Sequence, residues 1–220
     1  HDLRAPLRAI DGFIGILKED YGSTFDAEAL RLFGIVGDNA RKMGQLIDDI
    51  LALSRAGRQA LERTQVNMNA LVDEVWSDLA ELRAERNVEF QRGELPTVFA
   101  DPHALRQVWQ NLLDNALKFS RDSNPARIEV SAERQGGQFW FAVKDNGAGF
   151  NGNYVGKLFG LFVRLHGMDE FDGTGVGLAI VKRFVQKQGG EVAAEGQIGV
   201  GATFRFSLPT TPVQANSAED

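Results

Sequence analysis

The chain has 220 residues, 43% hydrophobic and 25% charged, without an apolar run near the ~20 residues that cross a bilayer, so it reads as a globular protein of one large or two modest domains. A net charge of -6 argues against a non-specific nucleic-acid binder or an anionic-membrane binder, so neither partner is expected. With no cysteine, disulfides are excluded and any metal must be held by oxygen or nitrogen; the charged start lacks a signal-peptide core, and a cytoplasmic location is expected.

Residues 1–55 read as two helices. Leu3, Leu7, Ile10, Ile14 and Leu17 recur at alternating steps of four and three, as do Leu32, Val36, Asn39, Met43, Leu46, Ile50 and Leu53. Tyr21-Gly22-Ser23-Thr24 breaks the pattern, which makes the segment a helical hairpin. Its apolar seam needs cover, from the following domain or from a second copy; a homodimeric four-helix bundle is the expectation. Asn39, polar within the seam, suits a register role or the bundle's solvent edge.

A polar linker over 56–63 leads to a second domain over 64–208. Asn69 is placed to cap a helix running to about Arg86, and strands follow at 88–91 and 97–100. Asp101-Pro102 is a strong helix start, with periodicity continuing to Phe119. Residues 127–133 and 139–144 alternate as strands around Gln135-Gly136-Gly137. A glycine-rich stretch leads to a helix from 173 to about 188, then a hairpin over 191–195 and 202–208. The polar residues 209–220 read as a disordered tail. The expected fold is α+β: the helical hairpin followed by an α/β sandwich, with helices on one face of a mostly antiparallel sheet.

Three motifs carry chemistry. On the helix that carries DNALKFS, Asn111, Asn115 and Lys118 share one face. A carboxamide oxygen suits Mg²⁺, which keeps waters and is completed by phosphates; Lys118 adds a point charge, and Phe119 can pack on a nucleoside. Alone, the set fits a buried amide beside a solvated lysine better than a metal site. In DNGAGF, Asp145 ends a strand, where a carboxylate accepts from adenine's exocyclic amine; Asp-Asn-Gly is also a common turn. GTGVGLA opens a helix whose backbone N–H groups and positive end can hold phosphate oxygens.

In this order the motifs resemble the nucleotide site of the sensor histidine kinase family of two-component systems, whose ATP-binding (Bergerat-type) fold is shared with gyrase-type ATPases. The resemblance covers about residues 1–208. It implies ATP and Mg²⁺ as cofactors, Asn115 as metal ligand with Asn111 and Lys118 beside it, and Asp145 as the adenine-binding residue. Gly147 and Gly149 match the first glycine box; Gly173, Gly175, Val176, Gly177 and Leu178 match the second. Thr203 in GATF matches a hydroxyl near the adenine, residues 157–162 the phenylalanine box, and Arg164 a lid arginine that neutralises the terminal phosphate. Residues 146–172 form the expected mobile lid. The run RLHG followed by EFDGTGVGLAIVKR looks closest to phytochrome-like kinases.

HDLRAPL, at the chain's start, resembles the family's phosphoacceptor box. It implies His1 as the nucleophile, with Asp2 taking the proton of the second ring nitrogen. Arg4 and Arg8 follow near that face, and Pro6 removes a helical hydrogen bond. Ala5 departs from the Thr or Asn often found four residues beyond the histidine, which puts phosphatase activity in doubt. The expected setting is a longer sensor, with a sensing domain upstream and a response-regulator receiver domain, bearing the accepting aspartate, docked on the hairpin. A gyrase-like or chaperone-like ATPase is the main rival. Those enzymes carry a Glu where this chain has Asn111, and an amide cannot deprotonate water. A non-catalytic dimerisation module retaining the fold is the third reading.

Overall fold

Helices α1 (Arg4–Tyr21) and α2 (Ala27–Arg58) pack as a hairpin in the computed structural model, which describes residues 4–58, 61–163, 165, 171 and 173–210. The helix break winds into a single 3-10 turn, where the Thr24 hydroxyl donates to the Tyr21 carbonyl at 2.6 Å. Asp26 then opens α2, accepting from the Ala29 amide at 2.7 Å. Ile14 and Ala40 are buried between the helices, and ion pairs Arg4–Asp48 and Arg41–Asp11 bridge them. These pairs are solvent-exposed and fix alignment more than stability.

Much of the seam faces outward: Ile10, Leu32, Val36, Met43 and Ile50 are exposed, as is Phe13 beside them. Asn39 turns its amide back onto the Ile35 carbonyl (2.8 Å). Helix α2 continues to Arg58, into the stretch read as linker, whose Arg and Ala residues are good helix formers.

Beyond the linker, β1 (Thr64–Asn67) pairs antiparallel with β3 (Thr97–Ala100), while β2 (Val88–Arg92), β4 (Ala126–Gln135), β5 (Gln138–Asp145), β6 (Val192–Gln197) and β7 (Gly201–Pro209) form one sheet. Its order is β2-β4-β5-β7-β6, antiparallel except for β2 against β4. The β4–β5 turn has positive φ at Gly136 (58°) and Gly137 (78°), the backbone a two-residue hairpin requires.

Helices α3 (Met68–Asp78), α4 (Pro102–Phe119) and α6 (Gly177–Lys187) accompany the sheet, and a short α5 (Val155–Leu158) falls within the stretch expected to be a lid. Helix α4 buries Leu105, Val108, Trp109, Leu112, Leu113, Ala116 and Leu117, an apolar stripe of three-four spacing. At its centre Trp109 meets Phe206 and Phe141 edge-on, with ring centroids at 5.1 and 5.9 Å.

The cap of α3 is Asn67, which accepts from the amides of Asn69 (3.0 Å) and Ala70 (3.2 Å). Asn69, expected in that role, instead exchanges two 3.0 Å hydrogen bonds with the backbone of Leu95. The helix also ends at Asp78, well before Arg86. Arg83 folds back over the Trp76 ring (4.5 Å), and Trp76 stacks on Phe90 at 3.9 Å, so the chain turns toward β2.

Candidate nucleotide site

Asp101 sets the position of the functional helix. Its Oδ1 accepts from the Ala104 amide (3.0 Å) to cap α4, with Pro102 in the first turn. Its Oδ2 accepts from the Glu62 amide (2.9 Å), and its own N–H donates to Gln188 at the end of α6 (2.8 Å). With the apolar stripe of α4 fixed against the sheet, Asn111, Asp114, Asn115 and Lys118 face the other way and line a cavity of about 700 Å³. That size suits a nucleotide-scale ligand.

Asp145 forms the floor at the end of β5, opposite Ala202 of β7 and only 5% exposed. Burial pushes its carboxyl up to about 6, against the opposing effect of hydrogen bonds from the Gly147 (2.8 Å) and Ala202 amides. The loop after it is closely threaded. A Cβ on Gly147 would stand 2.3 Å from the Phe119 carbonyl oxygen, and one on Gly149 (φ 63°) 1.9 Å from that of Gln197. Neither position accepts a side chain. Asn146, given no role from sequence, fastens this loop: its Oδ1 accepts from the Arg127 amide (2.7 Å) and its Nδ2 donates to Pro125 (3.0 Å). A polar residue inside a glycine motif was the available signal.

The second glycine box meets α4. A Cβ on Gly177 would lie 2.5 Å from the Asn111 side-chain oxygen, and one on Gly173 2.6 Å from Lys118 Nζ. Asn111 is oriented by donating its Nδ2 to the Gln107 carbonyl (2.8 Å). The start of α6 therefore lies against Asn111 and Lys118, with Gly175, Gly177 and Leu178 lining the cavity, and the first amides of a helix are the ones left without intrahelical partners. Lys118 Nζ sits 4.5 Å from the centre of the Phe119 ring, which meets Phe171 at 4.9 Å. Burial raises the Asp114 carboxyl from its ordinary value, and the Lys118 charge opposes it.

The structure thus brings Asn111, Asn115, Lys118, Phe119, Asp145, Gly149, Gly173, Gly175, Gly177 and Leu178 to one cavity. Gly147 shapes it from behind, and Val176, fully buried, precedes α6. Thr203 does not line it. Because Asp145 pairs with Ala202, strand alternation turns Ala202 and Phe204 inward and sets Thr203 opposite the exposed Lys144. His1, Asp2 and Arg164 lie outside the described residues.

The residues present fit Mg²⁺ held mainly by phosphates. The carboxamide of Asn115 lines the cavity without a hydrogen bond among the described residues, and no cluster of three His, Cys, Asp or Glu suited to a metal occurs among them. Mg²⁺ keeps several waters and lets substrate phosphates complete its shell, so it needs few oxygen ligands from the protein.

A helix-covered sheet with this cavity defines an ATP-binding domain, and comparison with known proteins agrees. Residues 100–212 match the family described as histidine kinase-, DNA gyrase B- and HSP90-like ATPase, and residues 1–59 match the His Kinase A (phospho-acceptor) domain. The chain belongs to the sensor histidine kinase family, as a catalytic region of that family's architecture. It is 35% identical over 209 residues to the phytochrome-like protein Cph1 of Synechocystis sp., covering 95% of this chain and 28% of that protein's length. Among solved structures it resembles full-length ShkA in complex with AMPPNP (TM-score 0.70, 28% identity, 98% of this chain and 46% of that one). It also resembles histidine kinase ThkA in complex with the response regulator TrrA (TM-score 0.66, 25% identity, 96% of this chain and 60% of that one).

Proposed function

We propose that this chain binds ATP with Mg²⁺, transfers the γ-phosphoryl group to His1, and passes it to an aspartate of a response-regulator receiver domain. The observation that carries this reading is the convergence of a buried carboxylate, Asp145, and the glycine-lined start of α6 on one cavity. The carboxylate accepts from adenine's amine at one end, and the triphosphate lies along the α6 amides at the other.

When bound, Mg²⁺ neutralises charge developing on the phosphoryl oxygens. Asn115 would hold it, with Asn111 and Lys118 orienting the phosphates and Arg164 meeting the terminal one. One ring nitrogen of His1 attacks phosphorus in line; an N–P bond forms as the bond to the bridging oxygen breaks and ADP departs. Asp2 accepts the proton on the other ring nitrogen, keeping the ring nucleophilic. The side chain at 111 is an amide already committed to the Gln107 carbonyl, so it cannot serve as the base of a water-directed ATPase.

The outward seam of Ile10, Leu32, Val36, Met43 and Ile50 supports a homodimer, and the complex of ThkA with TrrA supports a receiver domain as partner. We assign residues 1–55 to phosphoacceptance and dimerisation and 64–208 to ATP binding, in the cytoplasm, within a longer sensor. Titration with ATP, with and without Mg²⁺, tests the first step: metal-dependent binding abolished by Asn115→Ala is expected, and absence of binding by a folded wild type contradicts it.

A further inference from the structure

The cavity has a wall from outside the ATP-binding domain. Gln45, Asp48 and Asp49 of α2 line it together with Asn115, Asp145 and the second glycine box, and α6 packs on α2 beside it. The contact is bonded: the Thr174 hydroxyl, between Gly173 and Gly175, donates to Asp49 Oδ2 at 2.5 Å across 125 positions of sequence. The other carboxylate oxygen, Oδ1, accepts from Gln45 Nε2 one turn earlier on α2 (2.9 Å), so the group is held from both sides.

The same Thr174 hydroxyl accepts from the Val176 amide at 3.4 Å, immediately before α6. Helix α6 has no side-chain cap at Val176 and no acidic residue in its first turn. Such a helix start attracts an anion, because its first amides lack intrahelical partners and the helix dipole is positive there. Asp49 supplies that anion through Thr174, from the hairpin.

We propose that Asp49 is an internal competitor of the triphosphate: its carboxylate, bonded into the second glycine box, opposes the phosphates of ATP, so nucleotide binding and docking of the hairpin on its own ATP-binding domain weaken one another. This rests on the reading of the cavity as the ATP site given above. A carboxylate in a partly enclosed cavity repels a phosphate more strongly than it does in water, and the Thr174 hydroxyl has one proton to donate. A phosphate oxygen that takes that proton releases Asp49, and with it the bond that ties α2 to the glycine box. Asp48 opposes phosphate less, since Arg4 pairs with it. The two equilibria are linked: the factor by which docking weakens ATP is the factor by which ATP weakens docking.

Both sides of this linkage are measurable, because a chain without cysteine accepts labels only where cysteines are introduced. Asp49→Asn removes the charge and keeps an acceptor for Thr174; Asp49→Ala removes both and suits a helix. Affinity for AMPPNP with Mg²⁺ is measured by calorimetry for the wild type and both variants. The distance between spin labels at Glu28→Cys on the hairpin and Glu133→Cys on β4 is measured with and without nucleotide, each labelled chain diluted in unlabelled protein. The proposal predicts affinity at least about fivefold higher in both variants, the lower end of ordinary coupling between sites. It also predicts a wild-type distance that lengthens when nucleotide binds, and an Asp49→Ala distance that is long beforehand. Affinity that fails to rise in Asp49→Ala overturns the inference. A wild-type distance that nucleotide leaves unchanged also overturns it, by reducing Asp49 to a remote charge. Absence of nucleotide binding by the wild type and both variants overturns the reading of the cavity as an ATP site, and the inference with it.

Discussion

Gly177 and Asn111 approach so closely that a Cβ at position 177 would lie 2.5 Å from the asparagine's side-chain oxygen. The start of α6 can press on α4 only because position 177 carries no side chain. Gly177→Ala should push Asn111 or the helix start aside and open the phosphate wall. We expect ATP affinity to fall by roughly tenfold, about 1.4 kcal/mol, by calorimetric titration, with the thermal midpoint little changed.

Asp145 titrates at about 6 because burial disfavours its charged form. Adenine needs the ionised carboxylate as acceptor, so nucleotide affinity should weaken as pH falls through about 6. Asp145→Asn, whose amide does not titrate in this range, should lose this dependence. At pH 7 it should bind ATP more weakly by about 1.5–3 kcal/mol, the usual worth of a hydrogen bond to a charged group.

The same shift has a stability consequence of fixed sign. The folded value is raised above the unfolded one, so the stability from protonated Asp145 is fully present below about 3.8 and is lost as pH rises through about 6. Relative to wild type, Asp145→Asn should therefore gain stability between pH 4 and pH 7. Urea unfolding at the two pH values measures the change; a relative loss over that interval would contradict the burial of a charge there.

Trp109 fills the space between Phe141 and Phe206 and is fully buried. Trp109→Ala should cost about 3–5 kcal/mol in urea unfolding, because the aromatic cluster cannot close the cavity left behind. A loss below 1 kcal/mol, on the order of a surface change, would mean that the sheet and α4 pack differently.

Val36 and Ile50 are exposed in the single chain and belong to one helical stripe. Val36→Glu should shift sedimentation from dimer to monomer, since a desolvated carboxylate in the seam is costly. The ATP-binding domain should be unaffected by it.

Much of the site was legible because it is written in helix periodicity and glycine placement. Asn111, Asn115 and Lys118 share a face at any tertiary arrangement, and Asp101-Pro102 caps a helix through local chemistry alone. What was illegible depended on packing. The strand over Thr64–Asn67 is too short to show alternation and exists only by pairing with Thr97–Ala100. Asn67 and Asn69 are equally good caps on paper, and the Leu95 backbone draws Asn69 away. Thr203 turns outward because Ala202, not Thr203, pairs with Asp145; one position of register exchanges the two faces of a strand. The Thr174–Asp49 bond joins segments with no local relation.

The account's central claim is most directly tested by incubating wild-type protein, His1→Gln and Asn115→Ala with γ-labelled ATP and assaying the label's stability. Label on the wild type that survives alkali but not acid, and is lost in both variants, is the predicted result. Label persisting on His1→Gln would place the phosphoryl group on another residue and contradict it.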